Sequence, residues 1–350
     1  MRRHALPALL ALFSSSALTA CGDGRHFEHE PVEASPSETP SGAGSGTSSG
    51  SEAPQAPVVL ARGLSVDEVV DNGLRLEVHA LQWGDDGAIE LLMGATDSAR
   101  DAAVVGIGAA SLEFAEDGVD LGPEALFNVE RERALHVALV LDTSKSMVEA
   151  GADAALRDAA RGLVDALPPS TRLAVVPFAT RYETRVAFTS DKAQVLDALE
   201  TLVPPLDRSG QFTNLWGALV HASDALGGAA EASTGGRAVV VFTDGQDNVA
   251  ESSTDEAAAH LQAAGATLYA VGLGERLDRD ALTSLSGAQR FAETTDPQAL
   301  GGLFDDIGAR LSELARIRYI TPKQSGEHVL DVKVSDGPRS ARLRLRFDLG

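Results

Sequence analysis

The sequence holds one cysteine, Cys21, in 350 residues, so a disulfide framework is excluded, and a disulfide-linked partner is excluded as well once that thiol is blocked. Positive charge is scarce. The 29 Lys and Arg face 51 Asp and Glu, for a formal charge of −22. That balance excludes a nucleic-acid backbone or an anionic lipid surface as the main partner and leaves divalent cations and basic surfaces. Tryptophan is nearly absent, and both copies, Trp83 and Trp216, read as packing residues and not as ligand platforms. Also missing is an unbroken apolar run that could span a bilayer: the stretch Ala5 to Ala20 is interrupted by Pro7 and by Ser14–Ser16. What is present in quantity is apolar content, 44% of the chain, enough for a sizeable core.

The positive start at Arg2 and Arg3 followed by that short apolar run reads as a signal peptide over residues 1–20. Leu18-Thr19-Ala20-Cys21 resembles the bacterial lipobox. The resemblance implies that Cys21 is diacylated, becomes the new N-terminus and is acylated again. Several acyl chains hold more firmly than one, so the expectation is a cell-envelope protein whose only membrane contact is its lipid anchor. Gly22 after the cysteine fits release to an outer membrane, and Asp23 stands one place too late for the usual retention signal. Residues 21–57 continue as Gly, Ser, Pro and Glu with almost no apolar side chains, and so read as a disordered linker. Such a tether reaches roughly 30–36 Å on average.

From 58 to 134 the pattern becomes short alternating runs, "LRLEVHALQW", "AIELLMGA" and "AASLEFAEDGVDL", separated by Asp85-Asp86-Gly87 and Glu116-Asp117-Gly118. These predict antiparallel strands in a small β-sandwich. Over 135–316 strand-like and helix-like segments alternate, the pattern of a parallel sheet covered by helices. The predicted strands are "HVALVLD", "RLAVVPF", "RVAFT", "RAVVVFTD", "ATLYAVGLG" and "QRFAE". Leu156, Ala159, Leu163 and Leu167 form a helical stripe stopped by Pro168-Pro169. Asp191 and the Ser253/Glu256 pair are predicted N-caps, and Asp296-Pro297 is expected to open the last long helix. Pro177, near the end of its strand, predicts an edge or a bulge. Strands return over 317–350; they either complete the sandwich of 58–134 around an inserted α/β domain or form a separate hairpin on the last helix.

Two predicted strands of the parallel sheet end in aspartate, Asp142 in "LHVALVLDTSKSM" and Asp244 in "RAVVVFTDG". Ligands of open α/β sheets bind at the carboxyl ends of strands, and two carboxylates brought together there repel unless a cation lies between them. Ser144 and Ser146 add hydroxyls at alternate positions. Every donor is a hard oxygen, which favours Mg²⁺, with Ca²⁺ or Mn²⁺ as alternatives, over Zn²⁺.

With "FTNLWGAL" between them, these motifs resemble the metal-ion-dependent adhesion site of von Willebrand factor type A (VWA) domains. The resemblance implies a Rossmann-like, doubly wound α/β fold, mostly parallel, beside the small antiparallel sandwich. It further implies that Asp142, Ser144, Ser146, Thr213 and Asp244 form the metal shell, with the serines and threonine binding directly and the aspartates often through water. One coordination position is left for an acidic group of a partner protein. The middle loop, Ser209-Gly210-Gln211-Phe212-Thr213-Asn214, departs from the commoner Gly-Gly-Thr-Asn form. Lys145, Gln211, Gln246 and Asn248 are expected on the rim as solvated residues, while Asp247 reads either as repelling an acidic ligand or as recruiting a second ion. His221 and His260 lack a second ligand at metal spacing, "VGLGER" reads as a turn, and Tyr182 and Arg185 as turn residues. The expected function is non-enzymatic protein binding through the ion. An envelope scaffold with a structural ion and a metal- or serine-dependent hydrolase are the alternatives.

Overall fold

The computed structural model describes residues 59–349 except 61, 84–86, 123–124, 133, 206, 231–234 and 324. The signal-like segment, Cys21 and the linker lie outside the described residues. The chain opens with eight strands: β1 (Val59–Leu60), β2 (Arg62–Asn72), β3 (Leu74–Trp83), β4 (Ala88–Asp97), β5 (Ala102–Ala103), β6 (Leu112–Glu116), β7 (Val119–Leu121) and β8 (Leu126–Arg131). An α/β segment follows, with β9 (His136–Asp142), α1 (Lys145–Glu149), α2 (Asp153–Ala166), β10 (Arg172–Phe178), β11 (Val186–Thr189), α3 (Lys192–Glu200), α4 (Leu215–Ala230), β12 (Arg237–Thr243), α5 (Thr254–Ala264), β13 (Thr267–Leu273), α6 (Arg279–Ser286), β14 (Phe291–Thr294) and α7 (Leu300–Ser312). The chain closes with β15 (Ala315–Ile320), β16 (Glu327–Asp336) and β17 (Arg339–Asp348).

The α/β sheet has the order β11-β10-β9-β12-β13-β14. All its neighbours are parallel except β11, which runs antiparallel to β10 at the edge. All seven residues of β9 are buried, because helices cover both faces of a parallel sheet and leave no side for alternation. On one face Leu156, Ala160 and Leu163 of α2 and Phe304 and Leu311 of α7 meet the sheet, and on the other Leu219, Ala222 and Leu226 of α4 do so.

Caps set the helix starts. Asp191 accepts the Ala193 and Gln194 N–H groups, and Ser253 with Glu256 forms a reciprocal capping box. Asp296 and Pro297 differ from expectation: Asp296 caps a single tight turn, Pro297–Ala299, and α7 begins only at Leu300. The Pro177 expectation is met only in part: β10 lies between β11 and β9 and is not an edge strand, and its irregularity falls before the proline. The pairing of β10 with β11 shifts register between Leu173 and Val175, and Pro177 pairs only with Leu141 of β9, so its missing N–H faces no ladder.

The strands on either side of the α/β segment pair with each other. One sheet has the order β1-β3-β4-β15-β8, with β5 on β4, and the other β2-β17-β16-β6-β7. Their inner faces share one core, in which Leu76, Ile89, Leu91 and Ile317 of the first sheet meet Phe114, Leu330, Val332, Leu343 and Leu345 of the second. Period-two burial in β16 and β17 places His328, Leu330, Val332 and Val334, and Ala341, Leu343, Leu345 and Phe347, on that inner face. The strand β15 starts at Ala315, so it straddles the expected boundary at 316. Its Arg316 ties to Glu132 at 2.6 Å and to Glu90 at 3.3 Å, and Leu92 of β4 reaches the α/β core beside Leu314.

Candidate metal centre

Strand order places the site. From β9 the chain moves outward to β10 and β11, then returns to the other side of β9 as β12. The order reverses between β9 and β12, where open α/β sheets hold ligands. Leu141 pairs with Phe242, so Asp142, the last residue of β9, and Asp244, just beyond β12, emerge side by side.

A chain of hydrogen bonds joins them. Asp142 is fully buried; its Oδ1 accepts the Ser144 N–H at 2.8 Å and its Oδ2 the Thr243 hydroxyl at 2.7 Å. The Ser144 and Ser146 hydroxyls lie 2.9 Å apart, and Ser146 donates to Asp244 Oδ1 at 2.8 Å. The residues between them turn away: Thr143 donates its hydroxyl to the Phe178 carbonyl at 2.9 Å, and Lys145 pairs with Glu149 at 3.1 Å.

Thr213 arrives from the loop before α4. Its N–H donates to Asn248 Oδ1 at 2.8 Å and its carbonyl accepts the Asn248 N–H at 3.0 Å. A Cβ on Gly245 would lie 3.8 Å from the Thr213 hydroxyl, so this donor sits against the loop that follows Asp244. The next residue, Asn214, is seated by its N–H on the Ala179 carbonyl at 2.8 Å and by its side-chain amide on Glu251. The altered middle loop therefore still delivers Thr213 to the cluster.

The electrostatics ask for a cation. Burial, with the Asp244 charge second, pushes the Asp142 carboxyl up to about 6 despite its three stabilising hydrogen bonds. Asp244 is also raised by burial, against the Ser146 hydrogen bond and the Arg276 guanidinium. The donor set is all oxygen, with two carboxylates and three hydroxyls, and no cluster of three or more His, Cys, Asp or Glu occurs among the described residues. These residues fit a hard dication that keeps part of its own hydration.

The structure revises the rim. Asn248 is no free solvated side chain, because it braces Thr213. Asp247 on that rim is held by the backbone: its Oδ2 accepts the Trp216 N–H at the start of α4 at 3.1 Å, and its Oδ1 accepts those of Val249 and Ala250. Thr243, the motif residue before Asp244 that sequence reading left without a role, holds Asp142, and Arg276, which lines the same depression as Ser146, Thr213 and Gly245, had no motif to mark it. His221 contacts Thr184 and Tyr182, and His260 contacts Asp224, all on the surface. Trp216 is buried in the core.

An open α/β domain with a hydroxyl-rich dication cradle at its switch point defines a class of metal-dependent binding domain. Residues 136–306 match the model of the von Willebrand factor type A domain, and this part of the chain belongs to that family. Solved structures similar to the chain include proximal thread matrix protein 1 from the mussel byssus with a zinc-occupied MIDAS motif, with TM-score 0.46 and 21% identity over 53% of this chain and 49% of that one. A von Willebrand factor type A protein from Catenulispora acidiphila gives TM-score 0.45 and 12% identity, covering 83% and 74% of the two chains. BatB from Bacteroides thetaiotaomicron gives 0.38 and 21%, covering 49% and 97%. The chain spans about half the length of the mussel protein. No curated protein matches it.

Proposed function

We propose that this protein is a lipid-anchored module of a bacterial cell envelope that holds a protein partner through Mg²⁺, the ion taking an acidic side chain of the partner. The observation that carries the reading is the convergence of Asp142, Ser144, Ser146, Thr213 and Asp244 at one switch point, with two buried carboxylates side by side. A dication held mainly by hydroxyls and water keeps much of its charge for an incoming carboxylate. The anchor rests on Leu18-Thr19-Ala20-Cys21 and the outward preference on Gly22. Hydrolysis is disfavoured by the partners of the serines: Ser144 and Ser146 bond to each other and to Asp244, and among the described residues no histidine is bonded to either.

The test is capture of envelope proteins by the lipidated protein, in Mg²⁺ and in EDTA, alongside Asp142→Ala. Partners that require the ion and are lost in the variant support the reading. Capture that persists in chelator overturns it in favour of a scaffold with a structural ion. Turnover of ester, peptide or phosphate substrates that disappears in Ser144→Ala would overturn it in favour of a hydrolase.

A further inference from the structure

The depression over the site is lined by Lys145, Ser146, Glu149, Gln211, Phe212, Thr213, Gly245, Gln246, Asp247, Asn248 and Arg276. Its charged groups are mostly committed. Lys145 is paired with Glu149, and both oxygens of Asp247 accept backbone N–H groups. Arg276 is different: it is exposed and makes no hydrogen bond or ion pair among the described residues. A guanidinium that acts on Asp244 through its charge but is bonded to no carboxylate, in a chain of formal charge −22, is the exception on this rim.

Its backbone is held still although its side chain is free. Gly274, with φ +88°, turns the chain out of β13, and the Gly274 N–H donates to the Thr294 carbonyl at 2.8 Å. Arg279 clamps the same turn, donating to the Gly274 and Glu275 carbonyls at 3.1 Å each while its Nε holds Glu293 at 2.6 Å. Leu277 is buried against Gly272, where an added Cβ would meet Leu277 Cδ1 at 2.3 Å. Arg276 is thus presented from a fixed point, which lowers the entropy lost when its fork closes on a ligand.

Charge counting gives the group a task. Two ionised aspartates and one dication sum to zero, so the centre alone offers no net attraction to an anion at a distance. On the rim Lys145 with Glu149 and Arg276 with Asp247 also balance, so any attraction is local, at the one guanidinium that is able to bind a carboxylate through paired N–H donors. We propose that Arg276 is a second anchor of this face, selecting a partner segment that carries two acidic side chains, one for the ion and one for Arg276. The proposal rests on the metal-dependent reading above and adds to it the chemistry of the partner. The exposed Phe212, which lines the same depression, offers an apolar contact to that segment.

Simple carboxylates test this on the Mn²⁺-loaded full chain, with water-proton relaxation reporting loss of metal-bound water. Acetate supplies one carboxylate and glutarate two on a flexible spacer. An exposed ion pair adds about fivefold, and the presence of two equivalent carboxylates about twofold, so glutarate is expected to bind about tenfold more tightly than acetate. In Arg276→Gln the preference falls to about twofold, with Mn²⁺ affinity retained, and Arg276→Lys gives an intermediate value. A glutarate preference that survives in Arg276→Gln, or is absent from the wild type while acetate still displaces water, overturns the proposal alone. If neither carboxylate displaces water from bound Mn²⁺, the metal-dependent reading fails, and the second anchor with it.

Discussion

Replacing Asp142 by Asn should stabilise the metal-free protein while destroying its response to metal, two effects of opposite sign from one side chain. Burial and the neighbouring Asp244 raise the Asp142 carboxyl from 3.8 to about 6. A rise of that size corresponds to roughly 3 kcal/mol between the two protonation states. Because the folded value exceeds the unfolded one, the folded state holds the proton more tightly. The penalty is therefore absent below about pH 4, grows as pH rises between about 4 and 6, and is full above 6. Asn keeps the shape and the hydrogen bonds, with its Oδ1 accepting the Ser144 N–H. Its amide donates to Thr243 Oγ1, whose hydroxyl turns to the Gly245 carbonyl, now 3.3 Å away. In EDTA at pH 7 the variant should gain about 1–3 kcal/mol, or roughly 2–9 °C in Tm. Mg²⁺ at about 1,000 times its Kd reverses the order, since it adds about 4.1 kcal/mol to the wild type and nothing to the variant. Scanning calorimetry from pH 4 to 7, with and without EDTA, measures both. The variant-minus-wild-type difference is the quantity to follow, because His79 and His136, lowered by burial to about 3 and about 4, cost stability as pH falls below 6.5 in both proteins. A variant destabilised in EDTA at pH 7, or a difference that does not shrink towards pH 4, would refute the reasoning.

Other expectations follow from the same contacts. Asn248→Ala removes the acceptor of the Thr213 N–H and should weaken Mg²⁺ binding about tenfold, the equivalent of one hydrogen bond of about 1.4 kcal/mol, with little change in the EDTA melting temperature; calorimetric titration reads it. Ser253→Ala breaks the capping box of α5 and should cost about 1 kcal/mol in urea unfolding, with a smaller effect on metal affinity because Ser253 itself bonds to no residue of the centre. Gly272→Ala drives a methyl into Leu277 and should cost about 1–3 kcal/mol, and by shifting the Arg276 turn it should also reduce the glutarate preference measured with Mn²⁺.

Much of the fold was legible because burial wrote it into period and length. The run Val137–Leu141 is wholly apolar since both its faces are covered, whereas β16 and β17 alternate since only one is. The site was legible for the same reason: Asp142 and Asp244 break apolar runs at the point where those runs reach the carboxyl edge. Less visible was what depends on contacts distant in sequence. Asp247 looked like part of the metal chemistry from its neighbours, but its carboxylate is used on the α4 N–H of Trp216, a contact that only the folded loops create. Asn248 braces Thr213 without belonging to a motif, and Thr243 lies in one but was given no role. Arg276 sits in an ordinary turn sequence, and its significance comes from β13 lying next to β12, which local pattern does not encode. The interleaving of β15 between β4 and β8 was one of two open possibilities, because a strand's sequence names its faces and not its neighbours. Asp296-Pro297 was read as the start of α7 and instead closes the tight turn before it, because proline and its cap close such a turn as readily as they open a helix.

The central claim is that Asp142, Ser144, Ser146, Thr213 and Asp244 hold one divalent cation. Calorimetric titration of the metal-stripped protein with Mg²⁺ and Mn²⁺ at pH 7 tests it most directly. The account predicts one ion per chain, lost in Asp142→Ala and in Asp244→Ala and weakened in Ser146→Ala. Binding of the same stoichiometry and affinity in those variants, or no binding by the wild type, would contradict it.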